Sequence, residues 1–290
     1  MSDDVLATVR GALPSLNRAE RLVAQTLLDA PDLVAAGTIT DLVTRSGASQ
    51  ATIARLCKRL GYSGFRELRV ALAAATSRER GLLERFELDE AEIGGGDSVE
   101  AVTSKVAFLE SRAIQETAEQ LDRRALTAAA GAIVHAGRVH IYGFGSSGLT
   151  AADLQQKLER VGINAGYWPD IHVALPSAAL LGPGSVAVGI SHSGATAETN
   201  ELLRLAGSTG ATTIAITNVA ESPLAAAAAL TLVTRARESR FRSGATASRM
   251  AQLAVIDMLF ILVLQRLDVD PVQPLRATYE AVAKHRLPYR

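Results

Sequence analysis

Only one cysteine, Cys57, occurs in the 290 residues. An internal disulfide or a thiolate zinc cluster needs at least two, so neither is available and Cys57 reads as a packed core residue. The five histidines, His135, His140, His172, His192 and His285, show no metal-ligand spacing, and neither a metal nor another cofactor is expected. No stretch reaches the roughly 18 uncharged apolar residues of a membrane span. The N-terminus has no basic segment leading into an apolar run, so a soluble cytoplasmic protein without a membrane partner is expected. Net charge is lacking too: 30 Lys and Arg balance 30 Asp and Glu, which alone says nothing in favour of a nucleic-acid partner.

What is present is unevenly placed. From Arg45 to Arg69 six basic residues (Arg45, Arg55, Lys58, Arg59, Arg66, Arg69) meet a single acid, Glu67, and the stretch from Glu84 to Glu100 is acidic in compensation. The chain is 48% hydrophobic, and with its length this suggests two packed cores. Leu6, Val9, Leu13 and Leu16, then Leu22, Val23, Leu27 and Leu28, recur at helical intervals. Shorter helices follow over 39–45 and 49–60, then one from about Gly64 to Thr76. No strand pattern precedes residue 135, so residues 1–80 read as an all-helical domain. Residues 81–98 are acidic and contain Gly94-Gly95-Gly96, which marks a linker. Residues 99–290 form the second domain. Helices are expected there over 98–121 and 123–136, and then the short apolar runs 139–142, 186–190, 213–216 and 230–233 alternate with helical stretches. That alternation indicates βαβ units and a parallel sheet covered on both faces.

The segment 40–60 has the grammar of a helix-turn-helix. Gly47 sits where the turn needs an unusual backbone angle, and Ser49 can cap the second helix. A helix starting at Gln50 would bury Ile53, Leu56, Cys57 and Leu60 and turn Gln50, Thr52, Arg55 and Arg59 outward. Such a helix fits the major groove, with Gln50 and Arg55 as base readers and later cations such as Lys58 and Arg59 on phosphates. An ordinary helical hairpin with a solvated basic face has the same spacing. The runs Ser15-Leu16-Asn17-Arg18-Ala19-Glu20-Arg21 and Leu60-Gly61-Tyr62-Ser63-Gly64-Phe65-Arg66-Glu67-Leu68 decide between them, because with the helices between they resemble the N-terminal domain of RpiR-type transcription regulators. That resemblance covers residues 1–77 and implies operator DNA as a partner, with a two-fold symmetric site and a dimer.

Two glycine- and serine-rich turns each follow a strand. Gly143-Phe144-Gly145-Ser146-Ser147-Gly148 comes after the first, and Ser191-His192-Ser193-Gly194-Ala195-Thr196 comes before a helix at Glu198. Such turns aim free amides and hydroxyls at an anion. Leu149 stands where the dinucleotide pattern needs its third glycine, and the Walker lysine is missing, so the pair favours a phosphate held without metal. Residues 125–268 resemble the sugar isomerase (SIS) domain through Ser191, Ser193, Gly194 and Thr196, with Ile216-Thr217-Asn218 and Ser222-Pro223-Leu224 in support. The resemblance implies an αβα sandwich on a five-stranded parallel sheet. It also implies a phosphorylated-sugar effector bound by Ser147, Ser191, Ser193 and Thr196, with Ser146 and His192 as neighbours, and a dimer or tetramer.

A sugar phosphate could instead be the substrate of an aldose–ketose isomerase. That reaction needs a base and a ring-opening group, for which Glu198 and His192 are at hand. A basic helix-turn-helix has no use in an isomerase, which favours a regulator. Glu238, Arg240 and Arg242 follow the last strand, where an open sheet places its ligand crevice. Tyr167 and Trp168 read as packing at a strand end, and Met250 to Leu267 as a buried helix.

Overall fold

The computed structural model describes residues 5–85, 92–238, 245–267 and 272–283. The chain divides into two compact units, one holding residues up to 91 with 96–108, the other 92–95 and the chain from 109 onward.

The first unit is helical: α1 (Val5–Ala12), α2 (Arg18–Asp29), α3 (Pro31–Ala36), α4 (Ile39–Ser46), α5 (Gln50–Arg59) and α6 (Phe65–Arg85). Local capping sets the boundaries. Asn17 and Glu20 form a capping box on α2, and Thr38 and Asp41 form another on α4. Bonds from the Thr38 amide and hydroxyl hold the Asp41 carboxyl below its usual range. Val9, Val23, Leu27, Ile53, Leu56, Leu68 and Leu72 are fully buried together with Cys57, whose thiol is pushed up to about 11 by burial. α6 runs past its expected end near Thr76, so the expected linker begins inside a helix. Residues 77–85 are mostly Arg, Glu and Leu, strong helix formers, and the single Gly81 costs only about 1 kcal/mol. The chain changes unit at 91/92, at 95/96 and again between Phe108 and Leu109, the last within the continuous helix α7 (Val99–Gln120).

The second unit is an αβα sandwich. Its strands β1 (Arg138–Gly143), β2 (Ala165–Tyr167), β3 (Ser185–Ile190), β4 (Thr212–Thr217) and β5 (Leu230–Val233) are parallel in the order β2-β1-β3-β4-β5. Alternation along the strands supplies both cores. Ile141, Val188, Ile214 and Leu232 face α8 (Arg123–Val134), α9 (Ser146–Glu159) and α13 (Thr246–Leu264). Tyr142, Ala187 and Ala215 face α10 (Ile171–Ala179), α11 (Ala197–Ser208) and α12 (Pro223–Ala226). α14 (Val272–Ala283) follows. β2 is absent from the sequence reading because a three-residue strand containing Gly166 is too short to show a period. Tyr167 does end it, and Trp168 packs at 4.5 Å from the His140 ring. Among the described residues α13 is the one helix long and apolar enough to cross a membrane, yet it buries Val255, Ile256, Leu259 and Val263 in the sandwich core.

The chain leaves β1 toward β2 on one side and reaches β3 on the other. The carboxyl ends of β1 and β3 therefore flank the switch point of the sheet, where α/β folds open a ligand crevice.

Candidate functional site

Both serine-rich turns stand at that switch point. In the first, a Cβ on Gly143 would meet the Ser147 carbonyl at 2.6 Å, so only glycine lets α9 start this close to β1. Gly145 takes φ +57° and the helix begins at Ser146 without a side-chain cap. The Ser147 hydroxyl accepts from Gln252 Nε2 at 3.2 Å, and Thr150 Oγ1 donates to Gln252 Oε1 at 3.1 Å. Ser146 Oγ is buried with no hydrogen-bond partner among the described residues.

The second turn is braced from below. Ser191, 2% exposed, shares a hydrogen bond with Thr196 Oγ1 at 2.9 Å and accepts from the Gly194 amide at 3.1 Å. The His192 carbonyl accepts from the Asn218 amide at 3.0 Å and from Thr217 Oγ1 at 3.3 Å. Gly194 lies at φ +63°, where a Cβ would stand 2.1 Å from Ser222 Oγ. Asn200 Nδ2 ties the Gly194 and Thr196 carbonyls at 3.0 and 2.8 Å. Thr217, Asn218 and Ser222 thus hold the loop, which explains why they accompany it in sequence. Ser193 stays exposed, and Thr196 leads into α11, which also starts without a side-chain cap. Two helix N-termini therefore present first-turn amides that no side chain satisfies, an arrangement that favours an anion.

Ser146, Ser147, Ser191, His192, Ser193 and Thr196 line one cavity of about 190 Å³, together with Phe144, Glu238, Ala245, Ser248 and Gln252. Glu238 enters from the segment after β5 and accepts the Ser248 amide at 2.8 Å in the first turn of α13. Glu198 is exposed on α11 and is not among the lining residues. Sequence reasoning missed Gln252, although it is the one amide side chain in α13 and falls on the buried face of that helix, one turn from Ser248. Arg240, Arg242 and His285 lie outside the described residues.

In the helical unit Gly47 adopts φ +65° and Ser49 Oγ accepts the Thr52 amide at 3.2 Å. Ser49, Gln50, Arg55, Lys58 and Arg59 are exposed, whereas Ile53, Leu56, Cys57 and Leu60 are buried. Two expectations change. Thr52 is 5% exposed: it precedes Leu56 by one helical turn, and its hydroxyl bonds Ser49 Oγ at 3.0 Å and accepts from Arg55 Nη2 at 3.3 Å. Arg59 turns back onto its own unit, donating to Glu20 Oε2 at 3.3 Å and to the Ser15 carbonyl at 2.8 Å. Glu20 is buried, and a buried carboxylate needs a charged partner. Arg59 therefore fastens the end of α5 to the start of α2.

A helix-turn-helix domain described as the rpiR family matches residues 4–79, and the SIS domain matches residues 132–262. An uncharacterised HTH-type transcriptional regulator of Caldanaerobacter subterraneus subsp. tengcongensis is 38% identical over 98% of this chain and 99% of its own length. One of Haemophilus influenzae is 30% identical over 99% of both. Among solved structures, the Vibrio vulnificus NanR protein complexed with ManNAc-6P superposes with a TM-score of 0.61 at 27% identity, over 98% of this chain and all of that one.

Proposed function

The chain belongs to the rpiR family of helix-turn-helix transcription regulators that carry an SIS domain, and from that premise we propose that it binds operator DNA through α4 and α5 under the control of a sugar phosphate held in the cavity. The observation that carries the effector site is the convergence of two uncapped helix starts and the unpartnered, buried Ser146 hydroxyl on one cavity. A buried donor left unsatisfied costs roughly 1 to 3 kcal/mol, which a phosphate oxygen would recover. The NanR structure, solved with a phosphorylated N-acetyl sugar, supports the same reading.

In this reading the amides of α9 and α11 take the phosphate with the hydroxyls of Ser146, Ser147, Ser193 and Thr196. Ser191 acts mainly as a brace, and His192 lies beside the anion. Gln50 and Arg55 read bases from α5, Ser49 and Lys58 meet the backbone, and Arg59 positions the helix. Thr52 acts through Arg55. The protein works in the cytoplasm as a dimer or tetramer on a two-fold symmetric site. It regulates rather than isomerises: the chain carries an rpiR-family helix-turn-helix, which an isomerase has no use for, and its relatives are HTH-type transcriptional regulators.

Calorimetric titration with a panel of hexose and N-acetylhexosamine 6-phosphates tests the effector site. Ser193→Ala and Ser147→Ala should each weaken binding by roughly 1.5 to 3 kcal/mol, the scale of a hydrogen bond to a charged group. The unphosphorylated sugars should not bind, and the bound phosphosugar should be recovered without isomer formation. Unchanged affinity in both variants, or equal binding of the free sugar, would contradict the proposal.

A further inference from the structure

Three helix starts meet at the cavity, and they are not equivalent. Ser146 and Ser147 belong to the first turn of α9, Thr196 leads into α11, and Ala245 and Ser248 flank the start of α13. The first two are uncapped. The third already has its anion, because Glu238 Oε1 accepts the Ser248 amide at 2.8 Å. One oxygen of that carboxylate is committed to the helix, and Oε2 takes no further bond among the described residues. A carboxylate accepts hydrogen bonds and donates none, so the group it meets must offer O–H or N–H. The cavity is about 190 Å³, so a second anion on the ligand would lie well within a Debye length of this charge.

We infer that Glu238 reads the end of the effector opposite the phosphate and sets its class: a sugar monophosphate presenting hydroxyl, amine or amide donors there, with sugar-acid phosphates and bisphosphates excluded. This rests on the phosphosugar reading above. The serine turns bind what such ligands share, and Glu238 separates them by what they do not. Ser248 and Gln252, one turn apart on α13, line the same cavity, and Gln252 donates to Ser147 at 3.2 Å, which joins α13 to the serine turn.

The test uses two matched pairs, glucose 6-phosphate with 6-phosphogluconate and fructose 6-phosphate with fructose 1,6-bisphosphate, titrated calorimetrically into the full-length chain. Both pairs are titrated in one buffer at pH 8, where the phosphate groups carry their full charge. The wild type should bind the neutral-ended member of a pair at least tenfold more tightly than its doubly anionic partner. Glu238→Gln keeps a carbonyl oxygen for the Ser248 amide and should close that gap at least tenfold. Glu238→Asp, which keeps the charge on a shorter arm, should weaken the neutral-ended ligand while still excluding the acid. Doubly anionic ligands binding the wild type as well as their partners, or a gap unchanged in Glu238→Gln, would overturn the inference and leave the phosphate cradle standing. Inorganic phosphate separates the two ideas. If it binds the wild type and fails in Ser193→Ala while no sugar phosphate binds, the cradle survives and the role of Glu238 falls. If neither inorganic phosphate nor any sugar phosphate binds, the phosphosugar reading falls and the inference with it.

Discussion

At the scale of single residues, the structure turns on polar side chains whose partners are remote in sequence. Arg59 and Glu20 are 39 positions apart, and charge counting along α5 makes Arg59 one more free cation. Thr52 escapes the sequence reading because apolar neighbours alone define the buried face of α5 there, although a threonine one turn ahead of Leu56 falls on that face. His140 shows the same effect in the sandwich: burial, with a smaller effect from the Arg138 charge, pushes its imidazole down to about 4, and it packs on Trp168 with Nδ1 3.3 Å from the Tyr142 hydroxyl. A histidine kept neutral by folding but protonated in the unfolded chain makes the unfolded state bind more protons between those two pKa values. Its contribution is complete above the ordinary value near 6.5 and is lost as pH falls toward 4. Urea unfolding at pH 7 and pH 5 should show the wild type losing more stability than His140→Gln over that interval. Equal losses would contradict a buried neutral imidazole.

Among the elements, what could be read from sequence was whatever local chemistry determines. The capped turn between α4 and α5, the four longer strands and the two serine-rich loops all carry their cause within a few residues. The continuation of α6 to Arg85 also has a local cause, its strong helix formers, which the acidic-linker reading set aside. The short β2 and the run of α7 from one unit into the other do not, because each depends on packing that no local period records. The second half of α7 illustrates this. Its Ala113 packs with Ala236, Ala247 and Ala251, and its Thr117 hydroxyl accepts the Arg235 amide at 2.9 Å. This small-residue seam holds the segment bearing Glu238 and the start of α13 against α7. Ala251 is fully buried, so Ala251→Leu should destabilise the protein by about 1 to 3 kcal/mol and weaken sugar-phosphate binding, because Ser248 and Gln252 line the cavity from the same turns. Ile261→Ala, at a half-exposed site on the same helix, should change effector affinity little. Unfolding and titration curves check both. Wild-type stability in the Ala251→Leu variant would show that the seam is not tightly packed.

For the whole molecule, two units with separate cores carry separate chemistries on one chain, with a sheet-end cavity in one and a capped helix-turn-helix in the other. Such an arrangement regulates only if occupancy of the cavity changes DNA affinity, and linkage makes that coupling reciprocal. Fluorescence anisotropy on an operator fragment, selected from a random DNA pool by the protein itself, measures it with and without the tightest sugar phosphate of the panel. The account predicts that the sugar phosphate shifts the wild-type DNA affinity at least fivefold, a coupling of roughly 1 kcal/mol or more. Ser193→Ala should bind the operator as the wild type does without effector and show no shift at the same effector concentration. Operator affinity indifferent to the sugar phosphate in the wild type, or shifted equally in Ser193→Ala, would contradict it.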